Sequence, residues 1–122
     1  IKLTLRLGSI PVIMVDPPPL LNLSKYCGFT TLTKHSSCYN LKSKIMDIQK
    51  DTRKIIFNLK AEYSKLIVID PTSIICPGNR CLSSLNGLPL YFDDYGLNTH
   101  LNYTGSRLIG TLYLHRYGNP FS

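Results

Sequence analysis

Three short apolar runs, one alternating segment and two stretches of helical period organise this chain. The runs cover 11–15, 66–70 and 88–92. The first two are unbroken and rich in β-branched residues, the pattern of strands buried on both faces of a parallel sheet. Each stops at a carboxylate followed by proline, Asp16-Pro17 and Asp70-Pro71, and proline cannot donate to a sheet ladder. The third run follows Asn86-Gly87, a strong turn signal. Over 42–64, Ile45, Ile48, Thr52, Ile55, Leu59 and Tyr63 recur at 3-4-3-4-4 spacing. That spacing predicts one amphipathic helix with this stripe on a core and Lys44, Asp47, Lys50, Asp51, Lys54 and Lys60 in water. Segment 2–7 alternates as a strand does, yet Gly8 follows at once; we read 1–7 as the tail of a helix with Gly8 as its C-cap. Asn102 is a good N-cap for a final helix, periodic through Leu108, Ile109 and Leu112 and ending near Tyr117-Gly118. Residues 20–40 carry little periodicity and read as a long stapled loop. Helix and strand alternate along the chain, which predicts an α/β sandwich.

The chain has 122 residues and is 43% hydrophobic and 17% charged, as expected of one small domain or a large piece of one. No run approaches the roughly 18 apolar residues that a membrane crossing requires. Ile1 begins inside ordinary globular sequence, so no signal peptide is visible, and the missing Met points to a processed or excised chain. The net charge of +7 favours anionic partners in general. The basic residues are nevertheless scattered from Lys25 to Lys65 without a dense block, and no nucleic-acid signature accompanies them, so nucleic acid is not an expected partner.

The four cysteines form two local pairs, Cys27 with Cys38 and Cys76 with Cys81. Local pairing into two disulfides is the simplest of the three possible connectivities, and disulfides imply the periplasm or the extracellular space. No Cys-x-x-Cys occurs, so no metal centre is expected. A phosphate loop and a Gly-x-Ser-x-Gly elbow are also absent, and no cofactor is expected.

The segment from Leu90 to Ser106 carries the candidate chemistry. An apolar strand runs into Asp93 and Asp94, then a loop, then His100, then a helix start. A carboxylate beside an imidazole orients a general base and fixes its tautomer. The same residues also fit a plainer account, with the Asp pair initiating a turn and His100 at the surface. Asp16 and Asp70 end strands, where open α/β sheets bind ligands, although each also serves to cap a turn. His35 and His115 sit in poorer contexts, and no serine stands in the setting of a nucleophile.

Together these pieces resemble a known family. The order Val12-Ile13-Met14-Val15-Asp16-Pro17-Pro18, a cysteine pair, a long basic helix, Val68-Ile69-Asp70-Pro71, Cys76 to Cys81, Leu90-Tyr91-Phe92-Asp93 and His100-Leu101-Asn102 looks like the C-terminal half of the periplasmic SGNH domain fused to bacterial membrane acyltransferases. The resemblance covers essentially residues 1–122, read as the C-terminal part of a single domain without its nucleophile half. It implies a flavodoxin-like three-layer α/β/α sandwich with a Ser-His-Asp site. His100 is then the base and Asp94 or Asp93 its orienting carboxylate. The family usually places Asp three residues before His, but position 97 is Leu and Asp94 stands six residues ahead, so 95–99 reads as a small insertion. The implied reaction is transfer of an acyl group, usually acetyl, to a cell-envelope polysaccharide such as O-antigen or peptidoglycan. The implied partners are that carbohydrate and a membrane acyltransferase domain in the same protein, at the periplasmic face of the inner membrane. Residues 1–122 alone are not expected to turn over substrate. The competing expectation is a non-catalytic, disulfide-stapled, cationic envelope-binding module.

Overall fold

The computed structural model describes residues 1–19, 39–91 and 100–122. The sequence-predicted Cys27–Cys38 pairing and both candidate carboxylates, Asp93 and Asp94, lie outside these residues.

A short helix α1 (Lys2–Arg6) leads into strand β1 (Val12–Met14). Leu7 is the C-cap of α1, and Gly8 follows with φ of +77°. The left-handed position is thus one residue beyond the cap, where glycine carries no Cβ penalty. Strand β1 pairs in parallel with β3 (Ile67–Ile69), in the register Val12 to Ile67, Ile13 to Val68 and Met14 to Ile69. Main-chain bonds from Ile67 N to Pro11 O (3.0 Å) and Val15 N to Ile69 O (2.8 Å) extend this ladder. The two apolar runs do form a parallel pair, but β1 is not buried on both faces: Val12 and Met14 are 44% and 68% exposed. Among the described residues β3 is the neighbour that β1 has.

The predicted helix over 42–64 is two helices, α2 (Lys42–Ile48) and α3 (Lys50–Glu62), meeting at Gln49. Its inward line also differs from the predicted stripe. Ile45 and Ile56 are buried, whereas Ile48 and Ile55 are 54% and 61% exposed. The inward positions between them hold Gln49 and Arg53, both half-buried. Their polar partners lie on the strand ends, which hydropathy cannot register.

The principal core lies away from the parallel pair. Ile45 of α2, Ile74 and Ile75 of α4 (Thr72–Ile75), Cys76, Cys81, Leu90, Tyr91 and Ile109 of α5 (Tyr103–Tyr117) pack into one cluster. Residues 39–40, read from sequence as the end of the loop, belong to strand β2 (Tyr39–Leu41), antiparallel to β4 (Arg80–Leu82). The Arg80 guanidinium lies 4.3 Å from the centre of the Tyr39 ring. Cys76 and Cys81 are joined by a disulfide that ties the end of α4 to the middle of β4. Strands β5 (Ser84–Leu85) and β6 (Leu88–Pro89) form a hairpin. Asn86 and Gly87 turn it with φ of +52° and +75°, the two left-handed residues that a type I′ turn needs. The described part is therefore α/β, with three two-stranded pairings and five helices among the described residues.

Candidate active site

The parallel strands end at Asp16 and Asp70, and α3 is fastened to both ends. Arg53 binds the Asp70 carboxylate with two nitrogens, at 2.7 and 3.2 Å. One of those nitrogens also donates to the Thr72 hydroxyl. The Thr72 main-chain N–H donates to Asp70 Oδ1 at 3.1 Å, the Asx turn that starts α4. Gln49 accepts from Arg53 Nε at 3.1 Å and donates to the Asp16 carbonyl at 3.5 Å. Burial raises the pKa of the Asp70 carboxyl, and the hydrogen bonds from Arg53 and Thr72 outweigh that effect, so it lies below the ordinary carboxylate value. Asp70 is thus engaged in an ion pair and a turn, which is the structural of its two expected roles. Asp16 is exposed.

A second junction joins the strand before Asp93 to the helix after His100. Tyr91 and Leu101 form an antiparallel bridge, and Asn102 N donates to Leu90 O at 2.8 Å. The Asn102 side chain caps α5, accepting from Gly105 N at 2.6 Å. Its amide nitrogen donates to Pro89 O at 2.8 Å and to Tyr91 O at 2.9 Å. Gly105 is buried against the Leu90 main chain, and a Cβ there would overlap the Leu90 carbonyl. The fully buried Tyr91 donates its hydroxyl to Pro18 O. Burial raises its phenol well above the ordinary value. This bond links the segment beyond β6 to the prolines beyond β1.

His100 stands at the head of α5, exposed, one residue before the bridging Leu101. The next residue, Leu101, lines an open apolar groove of about 500 Å³ together with Val15, Pro17, Pro71, Ser106 and Ile109. The groove runs past the C-terminal ends of β1 and β3 and along α5 from Ser106 to Leu114. In open α/β sheets this is the crevice that receives ligands. His115 lies in the last turn of α5 and is exposed. Among the described residues no cluster of His, Cys, Asp and Glu is arranged to hold a metal, and no helix is long and apolar enough to cross a membrane.

Sequence reasoning named His100, Cys76, Cys81 and the cap Asn102, but it missed Gln49 and Arg53. Their signal was present as two polar residues four apart on a helix preceding a strand that ends in Asp. It is legible only once strand and helix are known to be antiparallel neighbours.

The family model described as "SGNH domain (fused to AT3 domains)" matches residues 2–115. This chain belongs to that family. No curated protein and no solved structure matches the chain. SGNH domains of this family occur fused to AT3 acyltransferase domains, which gives the chain an acyltransferase-associated role.

Proposed function

We propose that residues 1–122 are the C-terminal part of an SGNH-type O-acyltransferase or esterase domain in which His100 is the general base. The observation that carries this reading is the position of His100. It stands at the head of α5, directly before Leu101, which lines the groove that passes the C-terminal ends of both parallel strands. Asp94 or Asp93 is the orienting carboxylate, on the segment that follows Tyr91. The nucleophilic serine and the oxyanion donors belong to the preceding part of the domain.

The exposed face of β1, and its single neighbour β3 among the described residues, support the division. Val12 and Met14 belong to an apolar run whose composition fits burial, yet both are exposed. A further parallel strand beside β1, with a helix over Met14 and Phe121, completes a flavodoxin-like three-layer sandwich and covers this surface.

In the proposed reaction the serine hydroxyl adds to the acyl carbonyl while its proton passes to His100. The leaving group takes that proton as the carbonyl re-forms, leaving an acyl-serine. A sugar hydroxyl then repeats the two steps in reverse order and leaves as the ester. The acceptor is a cell-envelope polysaccharide such as O-antigen or peptidoglycan, at the periplasmic face of the inner membrane.

The test uses the full-length protein and an acetyl ester such as 4-nitrophenyl acetate. His100→Ala is expected to lower kcat by about a thousandfold or more, the scale of losing a triad member. An unchanged rate removes His100 from the mechanism. An inactive wild type with no Gly-Asp-Ser on a strand-to-helix turn upstream favours the cationic envelope-binding module instead.

A further inference from the structure

We infer that Asn102 is a positioning residue for His100, acting through the three consecutive carbonyls of Pro89, Leu90 and Tyr91. This inference rests on the reading of His100 as a base.

An asparagine side chain has one acceptor group and two N–H donors. A helix N-cap needs the acceptor alone, and serine, threonine or aspartate supplies it as well. Here the acceptor takes the Gly105 N–H at 2.6 Å. Both remaining capacities are directed elsewhere, to Pro89 O at 2.8 Å and Tyr91 O at 2.9 Å. The main-chain N–H of the same residue takes the carbonyl between them, Leu90 O, at 2.8 Å. One residue therefore binds three successive carbonyls of the segment that leaves β6 while starting a helix.

The placement gives this clamp a consequence beyond stability. Leu101 alone separates Asn102 from His100, and Tyr91 directly precedes the segment that contains Asp93 and Asp94. The Tyr91–Leu101 bridge and the Gly105–Leu90 contact lie on the same junction. Asn102 thus fixes the chain leading to the imidazole against the chain leading to the carboxylates. Small misplacements at such a site are costly, since a shift of about 1 Å can lower a rate by about a hundredfold.

Asn102→Ser keeps a capping oxygen and removes both N–H donors. In the full-length protein, folded by thermal melting, this variant is expected to lower kcat by about tenfold or more with KM within about twofold. The His100 ring resonances are expected to move as the main chain that carries the ring loses its clamp. A purely structural cap predicts neither change. Unchanged kcat and unchanged His100 resonances in the folded variant overturn the inference and leave the proposed function standing. Full activity in His100→Ala overturns the proposed function instead, and the His100 resonances alone then decide whether Asn102 holds the ring. Asn102→Asp, which keeps size and capping oxygen, serves if Asn102→Ser does not fold. Unfolding of both variants assigns Asn102 to stability and overturns the inference.

Discussion

Gly105, one turn into α5, lies directly against the Leu90 carbonyl, with no room between them for a β-carbon. The obstacle is main chain on both sides, so a side-chain rotation cannot relieve it. Gly105→Ala is expected to cost about 3 kcal/mol, at the upper end of overpacking penalties. Gly110, on the same helix, has open space at its Cβ position. Gly110→Ala should therefore gain about 0.5–1 kcal/mol from helix propensity. Urea denaturation of the two variants checks both signs at once.

Arg53 and Asp70 form the polar pair that holds α3 to the end of β3. Arg53→Ala leaves a half-buried carboxylate without its cation and is expected to cost about 2–3 kcal/mol. Arg53→Lys should recover only part of this, because an ammonium cannot reproduce the two-nitrogen fork. The pH dependence follows from the depressed Asp70 pKa. Its stabilisation is present above the unfolded carboxylate value of about 3.9 and is lost as pH falls through the lower folded value. Asp70→Asn should flatten that acid limb of the stability curve.

The Cys76–Cys81 bridge closes a small loop, yet both half-cystines belong to the principal core. Chain entropy assigns such a loop about 2 kcal/mol. Replacing both with alanine is expected to cost at least about that amount, because buried sulfur contacts are lost as well. Thermal melting of the double variant, beside wild type with and without reductant, separates the crosslink from the packing.

Tyr91→Phe tests the link from β6 to the prolines after β1. The variant keeps the ring in the core and removes the hydroxyl that donates to Pro18 O. A loss of about 1–2 kcal/mol is expected at neutral pH, the cost of leaving a buried carbonyl unsatisfied. The raised phenol pKa adds a second signature. Stability is full below the unfolded value of about 10 and declines above it as the unfolded phenol ionises. That alkaline decline should be shallower in Tyr91→Phe.

Local chemistry in the sequence located several elements. The runs ending in Asp16-Pro17 and Asp70-Pro71 are the two parallel strands, Asn86-Gly87 turns a hairpin, and Asn102 starts the last helix. Each of these depends on residues within a few positions of one another. What escaped depends on distant partners. The β2–β4 pairing joins segments about forty residues apart. The inward line of α2 and α3 passes through Gln49 and Arg53 because carboxylate and carbonyl groups on strand ends await them. Ile48 and Ile55 consequently face outward although they are apolar. At the candidate site the histidine was legible and the groove was not, since Val15, Pro71 and Ser106 meet only in the folded chain.

The bridge between Tyr91 and Leu101 has a consequence for the sequence between them. It pins the two ends of the eight residues 92–99 to each other independently of what lies between them. Closing a longer loop across fixed ends costs little, about 0.6 kcal/mol for each doubling of length. Residues can therefore be added or removed between the anchors while the anchors keep their places. The segment that holds Asp93 and Asp94 becomes a cassette, whose length along the chain is independent of the distance between its anchors.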